Sequence, residues 1–278
     1  MVTRFAPSPT GRLHLGHAFA AKVAFNFVKN QRFNCLLRIE DIDHTRCTNE
    51  YTLGIYRDLD WLGFDWPVPV KIQSKHYYDY AKAIKNLCDL GLAYECSLTR
   101  GNIRDGLLPK NKGISIEGYL DNFKRSNNRP NITHSIRLDL RKSMQFLKDQ
   151  KLTFIETSSG TEKEVNSKMA LMDSIINKKP DPIIARKDIG VSYHIAVTHD
   201  DHYQNISHVV RGYDLYESTH LHVLIQKLSN WQTPKYHHHP VLNNKYGDKL
   251  SKRGLDTSIR SLRNNGLTAK QVLDMATL

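Results

Sequence analysis

The stretch "RFAPSPTGRLHLGH", residues 4–17, is the most informative part of the sequence because it joins a strand to a helix through a loop of prolines and glycines. Residues 2–6 predict a short strand, and residues 7–13 predict a turn-rich loop. Residues 16–30 carry apolar side chains at helical spacing, so they predict a helix. A strand that feeds a turn and then a helix N-terminus presents free backbone N–H groups. The stretch therefore predicts an anion site near the start of the chain.

The segments that follow continue the alternation of strand and helix. "CLLRIEDID", residues 35–43, predicts a buried strand ending in carboxylates, and residues 49–62 predict a helix. Residues 76–90 predict a second helix that stops at Gly91, and "LAYEC" predicts another strand. This order is typical of an α/β fold with a parallel sheet.

The middle of the chain predicts an insertion into that sheet domain. Residues 97–130 turn to Gly, Asn, Lys and Pro with weak periodicity. "THSIRLDL" and "LTFIET" then predict antiparallel strands. Strand and helix alternation returns at "SYHIAVTHDD", "SHVVRGYD" and "STHLHVLIQKLSNW". We therefore expect three parts: a first half of the α/β sheet domain over residues 1–96, an inserted subdomain over 97–185, and a second half of the sheet domain over 186–278.

Composition favours a cytoplasmic protein with a polyanionic partner. The 278 residues hold 40 Lys and Arg against 28 Asp and Glu, a formal charge of +12, which fits nucleic acid binding or simple solubility. No apolar run approaches the ~18 residues of a membrane span, and the N-terminus lacks the pattern of a signal peptide. The four cysteines form no CxxC pair, so reduced thiols are expected; they are Cys35, Cys47, Cys88 and Cys96.

Two short strings could bind a nucleotide. In "HLGH", Gly16 allows close approach of a ligand, and His14 and His17 could donate imidazole N–H groups to phosphate oxygens. In "DKLSKRG", Lys249 and Lys252 suit a triphosphate. Helix capping would explain the histidines, and a solvated loop would explain the lysines. The two strings together point to a nucleotide site more specifically than either string alone.

These strings resemble a known family. "HLGH" resembles the HIGH motif, and "KLSKR" resembles the KMSKS motif, of class I aminoacyl-tRNA synthetases. "RFAPSPTGRLHLGH" and "LLRIEDIDHTR" resemble the glutamyl and glutaminyl branch. The resemblance implies a Rossmann-type α/β catalytic domain that activates an amino acid as its adenylate with ATP and Mg²⁺. It implies catalytic roles for His14, His17 and Lys252, and ATP contacts from these three residues, Gly16 and Lys249.

The charges near the expected site fit glutamate, which offers two carboxylates and an ammonium group. Arg4 and Arg211 could each make bidentate contacts to a carboxylate, and Glu40 could accept the ammonium. Ser8 and Tyr193 could add neutral hydrogen bonds. Surface ion pairs would explain each residue singly. The resemblance implies the same set, with glutamate contacts from Arg4, Phe5, Ala6, Pro7, Ser8, Glu40, Tyr193 and Arg211.

The end of the chain narrows the resemblance. Only a short predicted helix follows "KLSKR", so no anticodon-binding domain is expected. This truncation resembles the glutamyl-queuosine tRNA(Asp) synthetases, and implies a monomeric enzyme that activates L-glutamate and transfers it to queuosine in the anticodon of tRNA(Asp). Alternatives are a glutamyl-tRNA synthetase paralogue that charges a tRNA 3′ end, a non-catalytic RNA-binding relic, and another nucleotidyltransferase with an HxGH motif, which would not need the glutamate contacts.

The zinc site implied by the resemblance is degenerate. Its CxC pair is reduced to Cys96 with Leu98, and its later pair to Tyr119 with Phe123. Leu and Phe cannot ligate zinc, so zinc is predicted to be absent. Two further strings contain metal-ligand types, "THDDH" over residues 198–202 and "HHHP" over residues 237–240. Structural roles are favoured for both. Neighbouring residues of the histidine triplet would face opposite ways in an extended chain, and the resemblance places "VTHDDH" at a strand end beside the nucleotide.

Overall fold

The computed structural model describes residues 1–28, 34–107, 109, 119–124, 132–242 and 258–277. The strands are β1 Thr3–Phe5, β2 Cys35–Ile39, β3 Lys71–Ile72, β4 Ala93–Cys96, β5 Ser135–Leu138, β6 Thr153–Glu156, β7 Lys163–Asn166, β8 Ile183–Ala185, β9 His208–Gly212 and β10 Lys235–His239. The helices are α1 Leu15–Phe27, α2 Asn49–Trp61, α3 Tyr77–Asp89, α4 Arg100–Arg104, α5 Asp121–Lys124, α6 Leu140–Leu147, α7 Ser167–Ile176, α8 Tyr193–Tyr203, α9 Tyr216–Leu228, α10 Ile259–Asn264 and α11 Ala269–Met275.

A parallel sheet forms the centre of the fold. Strands β3, β2 and β1 pair in that order, and β9 pairs with β10 in a second sheet. The two sheets meet where the backbone N–H groups of Ser207 and His208 donate to the Val2 carbonyl, at 3.0 and 3.1 Å. The order across the junction is therefore β3-β2-β1-β9-β10. Such a sheet binds ligands where the order reverses, beyond the carboxyl ends of its central strands, here β1 and β9. The predicted α/β class is confirmed.

The predicted inserted range contributes to two sheets. Strand β5 pairs antiparallel with β4 and β8, as the pattern of "THSIRLDL" predicts. Strand β6 pairs antiparallel with β7, but it also pairs in parallel with β10, where Tyr236 lies opposite Glu156. The alternating pattern of "LTFIET" identifies a strand without identifying its second neighbour. The domain boundaries remain a prediction.

Two apolar clusters hold the layers together. In the first, Ala18, Ala21 and Ala24 of α1 are buried against the sheet together with Leu37 and Ile39 of β2. Small side chains on this face of α1 allow the helix to lie close to the strands. The second cluster joins α3, α8 and α9 to the β4-β5-β8 sheet. The apolar run of β2 ends at Ile39, and Glu40 follows it directly.

Residues 193–203 correct one expectation, because "VTHDDH" lies in helix α8 and not at the end of a strand. The Ser192 hydroxyl caps the helix by accepting from the backbone N–H of Ile195 at 3.5 Å. The Thr198 hydroxyl donates back to the His194 carbonyl at 2.6 Å. The short apolar run at residues 195–197 is compatible with a strand or a buried helix, and the cap and tertiary contacts decide for the helix.

The remnants of the degenerate zinc site belong to the apolar interior. The rings of Tyr119 and Phe123 are buried and meet edge to face, with centroids 5.1 Å apart. The Tyr119 hydroxyl donates to the Gly190 carbonyl at 3.3 Å. Cys96 is buried and carries a free thiol. Within the described ranges, no helix is long and apolar enough to cross a bilayer.

Candidate active site

The loop after β1 is fastened to the end of β2. The Glu40 backbone N–H donates to the Pro7 carbonyl at 3.2 Å, and the Thr48 backbone N–H donates to the Pro9 carbonyl at 3.1 Å. Pro7 and Phe5 are buried, whereas Ala6 and Ser8 are half-buried. Proline lacks a backbone donor but keeps its carbonyl, so Pro7 and Pro9 can form backbone hydrogen bonds only as acceptors. The contacts place residues 5–8 beside Glu40.

Arg4 is buried in an ion pair. Its Nε donates to Asp201 Oδ1 at 2.9 Å, its Nη2 to Asp201 Oδ2 at 3.5 Å, and its Nη1 to the Val210 carbonyl at 3.2 Å. Asp201 thus occupies the side of the guanidinium that carries Nε. One N–H on each terminal nitrogen has no partner among the residues that the structure describes. Arg4 therefore keeps two donors for an anionic ligand.

A second buried arginine shares the same carboxylate. Arg38 is fully buried and donates through Nη2 to Asp201, and its Nη1 lies 3.8 Å from Asp200 Oδ2. Asp200 also accepts from Gln73 at 2.9 Å and from Tyr80 at 2.8 Å, and it lies 3.3 Å from the Lys71 ammonium. Burial would raise the pKa of Asp201, but the charges of Arg4 and Arg38 lower it. Asp200 and Asp201 thus pair with three buried cations, those of Arg4, Arg38 and Lys71.

Glu40 lies immediately after β2, and its buried carboxylate has few polar partners. Its Oε1 is 4.0 Å from Arg38 Nε, and its carboxylate accepts no hydrogen bond from the described part of the chain. Burial raises its pKa to about 7, although Arg38 and Arg4 oppose the rise. A buried carboxylate without donors is a good acceptor for an ammonium group.

Arg211, on β9, has surroundings of a different kind. Its Nε donates to His238 Nε2 at 3.2 Å, and its Nη1 contacts His222 Nδ1 at 3.1 Å. Its Nη2 donates to Thr219 Oγ1 at 2.7 Å and to the Leu215 carbonyl at 3.2 Å. One Nη1 N–H has no partner among the described residues. Arg211 therefore cannot make the expected bidentate contact in this arrangement. It can offer a carboxylate one hydrogen bond and its positive charge.

These contacts assign the tautomers of three histidines. Because Arg211 can only donate, His238 carries its proton on Nδ1, which lies 2.5 Å from Glu156 Oε2. His222 accepts at Nδ1, so its Nε2–H points to His194 Nδ1 at 3.0 Å. Burial and the Arg211 charge lower the pKa of His222 well below its usual range and that of His194 to about 4. All three rings are therefore neutral near pH 7.

Tyr193 lies near both Arg4 and Arg211. It begins α8 and its ring centroid lies 5.7 Å from that of His222. Burial and the Glu40 charge raise the pKa of its hydroxyl, and the charges of Arg211 and Arg4 oppose the rise. Arg4 contacts the carbonyl of Val210, the neighbour of Arg211, and Glu40 follows β2, the strand that pairs with β1. The structure therefore brings Arg4, Glu40, Tyr193 and Arg211 together.

The predicted nucleotide residues lie at the start of α1. The Gly16 backbone N–H donates to His14 Nδ1 at 3.1 Å, and the His14 backbone N–H donates to His17 Nδ1 at 3.3 Å. Both imidazoles therefore cap the helix and carry their ring proton on Nε2. His14 also forms a backbone bridge with Ser258. Lys249 and Lys252 lie outside the described residues.

Several residues that shape the site are missing from the sequence-based prediction. The most important are Asp201, Arg38, His222, Thr219 and His238. A buried Asp pair in "THDDH" and the repeated histidines of "HHHP" are the only local signals, and both strings are compatible with several structural roles. Over the described ranges, no group of three or more His, Cys, Asp and Glu side chains is arranged to hold a metal ion. The absence of zinc stays a prediction.

Comparisons with known proteins agree with this geometry. Residues 1–278 match the family described as tRNA synthetases class I (E and Q), catalytic domain. The chain is 34% identical over 277 residues to the glutamyl-Q tRNA(Asp) synthetase of Rhodobacter capsulatus, and the match covers 98% of each protein. It is 34% identical over 273 residues to a glutamate–tRNA ligase of Prochlorococcus marinus, and the match covers 95% of this chain and 54% of that protein.

A solved structure shows the same fold. The glutamate-tRNA synthetase of Elizabethkingia anophelis superposes with a TM-score of 0.65 at 24% identity, over 96% of this chain and 54% of that one. The chain thus spans about half the length of the glutamate–tRNA ligases that it matches. The predicted family resemblance is confirmed.

Proposed function

Because the chain belongs to the class I tRNA synthetases of the glutamate and glutamine group, we propose that it activates L-glutamate with ATP and transfers it to queuosine in the anticodon of tRNA(Asp). The observation that carries the proposal is the convergence of two buried guanidiniums, Arg4 and Arg211, with one buried carboxylate, Glu40. Glutamate carries two negative groups and one positive group. The site supplies the opposite charge for each of them.

The amino acid contacts follow from the donors that remain available. Arg4 offers one N–H on each terminal nitrogen, and Arg211 offers one N–H and its charge. Glu40 takes the ammonium of the substrate. Tyr193 and the loop of residues 5–8 complete the wall of the site, with Ser8 as a neutral hydrogen-bonding group.

In the activation step, the α-carboxylate of glutamate attacks the α-phosphorus of Mg²⁺-bound ATP, and pyrophosphate leaves. Positioning and charge neutralisation carry such a step. His14 and His17 each hold the ring proton on Nε2, the form that donates to a phosphate oxygen. Gly16 lies between them at the start of α1. Lys249 and Lys252 are assigned to the triphosphate, with Lys252 on the departing pyrophosphate.

Activation is tested with Lys252→Ala, which should abolish glutamate-dependent exchange of pyrophosphate into ATP, because the variant lacks the cation that stabilises the leaving group. The exchange assay contains tRNA(Asp), so a requirement for tRNA does not mask activity. Lys270→Ala, in α11, is the control for removal of one lysine and should retain exchange. Unchanged exchange in Lys252→Ala would refute its role.

The proposed acceptor of the activated glutamate is queuosine in tRNA(Asp). It is supported by the match along 98% of both chains to a protein named glutamyl-Q tRNA(Asp) synthetase. It is tested by incubating the protein with labelled glutamate, ATP and tRNA(Asp), with or without queuosine, and then locating the label. Label that requires queuosine and resists removal of the 3′ terminal nucleotide is the expected result. Label on the 3′ terminal adenosine would favour a glutamyl-tRNA synthetase paralogue, and no label would favour an RNA-binding relic.

A further inference from the structure

Arg211 is a buried cation whose hydrogen-bond acceptors are all neutral. The four acceptors are two imidazole nitrogens, one hydroxyl and one backbone carbonyl. No carboxylate of the described residues forms an ion pair with it. By contrast, Arg4 and Arg38 both pair with Asp201. Burial of an uncompensated charge is costly, so a fold that keeps one has a use for it.

Glu156 forms no ion pair with Arg211, because the His238 ring lies between them. The Glu156 carboxylate accepts from His238 Nδ1 at 2.5 Å and from the His238 backbone N–H at 3.2 Å. The opposite edge of the same ring, Nε2, faces Arg211 at 3.2 Å. The carboxylate therefore fixes the direction of the imidazole without touching the guanidinium.

The other side of Arg211 is held in the same manner. The Nδ1 of His222 faces Arg211, and its Nε2–H is directed to His194 at 3.0 Å. The Tyr236 ring lies 5.2 Å from the guanidinium carbon and covers one of its faces. These contacts fix the plane and the rotation of the Arg211 guanidinium. Its remaining Nη1 N–H therefore points in a single direction.

The position of Arg211 decides which carboxylate it reaches. Glu40 follows β2 and Arg211 lies on β9, with β1 between them, which is two strand spacings or about 10 Å. The ammonium and α-carboxylate of an amino acid are bonded to one carbon. When Glu40 holds the ammonium, the group that extends farther towards β9 is the side-chain carboxylate.

We propose that His222, His238 and Thr219 are positioning residues that keep Arg211 oriented and without a counter-ion, so that the site selects the charged side chain of glutamate over the neutral amide of glutamine. This inference rests on the proposed function and identifies the residues that make the site prefer glutamate to glutamine. The three residues act through Arg211 and need not touch the substrate.

The test places a carboxylate beside Arg211 and compares it with a neutral side chain of the same shape. Thr219→Asp supplies a counter-ion where the Thr219 hydroxyl now accepts at 2.7 Å, and Thr219→Asn is the matched control. Affinities for glutamate and glutamine are measured by calorimetry. A neutralising charge at this distance should weaken glutamate binding about tenfold or more relative to Thr219→Asn. Glutamine affinity should be alike in the two variants.

A second pair guards against misfolding. His222→Glu and His222→Gln differ in the same way on the opposite side of Arg211, and the same change in glutamate preference is expected. Thermal unfolding and KM for ATP identify a variant whose fold is damaged. Equal glutamate affinity within each folded pair, or an equal loss for glutamine, would overturn the inference. A wild-type protein that binds no glutamate would instead refute the proposed function.

Discussion

Arg4 and Arg211 lie on neighbouring strands and are equally buried, with 4% and 7% of their surface exposed, yet they are held in opposite ways. Arg4 is neutralised by Asp201, which it shares with Arg38. Arg211 is hydrogen-bonded to neutral rings, a hydroxyl and a carbonyl. Burial alone therefore does not define the task of an arginine. A guanidinium that is paired with a carboxylate stabilises the fold in addition to its remaining donors, whereas one without a counter-ion presents its full charge to an anion.

Replacement of each arginine by Met should separate these two tasks. Arg211→Met should weaken glutamate binding about a hundredfold or more, because a charged hydrogen bond worth about 3 kcal/mol is lost. Its free energy of unfolding should fall less than that of Arg4→Met, since only neutral acceptors and no buried carboxylate lose a partner. Arg4→Met breaks a buried ion pair and should lower the free energy of unfolding by about 3 kcal/mol. Calorimetry and urea titration measure the two effects, and the reverse ranking would contradict the comparison.

Removal of the Asp201 charge should affect the two arginines that share it, Arg4 and Arg38, and not Arg211. Asp201→Asn leaves Arg4 and Arg38 buried without their common partner, so the free energy of unfolding should fall by about 3 kcal/mol. Asp188→Asn is a matched control because Asp188 pairs with Arg186 at the surface, where such a pair contributes less than about 1 kcal/mol. Urea titration of both variants measures the difference. Equal losses would show that burial of the Asp201 pairs has no special weight.

The two arginine environments also differ in how far the sequence predicts them. The loop over residues 4–17, helix α1 and the carboxylate after β2 are local features, with turn residues and helical spacing as direct signals. The contact between Arg4 and Asp201 joins residues 197 positions apart. No local pattern identifies that partner, and the helix at residues 193–203 has apolar residues equally compatible with a strand.

The contacts of Arg211 are even harder to predict from the sequence than those of Arg4. Thr219, His222 and His238 come from α9 and β10, and only the pairing of β9 with β10 brings His238 level with Arg211. Histidine strings are compatible with metal binding, capping and core packing alike. The tautomers that make them neutral acceptors follow from Arg211 and Glu156 together. Such a network can be recognised only once the strand register is known.

Glu40 extends the comparison to pH, because it is the one carboxylate of the site whose pKa lies in the neutral range. Burial raises that pKa to about 7, against the opposing charges of Arg38 and Arg4. Below pH 7 Glu40 is therefore protonated and cannot accept the substrate ammonium, so glutamate affinity should fall about tenfold per pH unit from pH 7 downwards and stay level above it. Burial lowers the pKa of His222 well below its usual range and that of His194 to about 4, so both remain neutral over this range. Calorimetry between pH 6 and about 8 measures the profile. Glu40→Gln should bind weakly without an inflection, and a flat wild-type profile would exclude Glu40 as the ammonium acceptor.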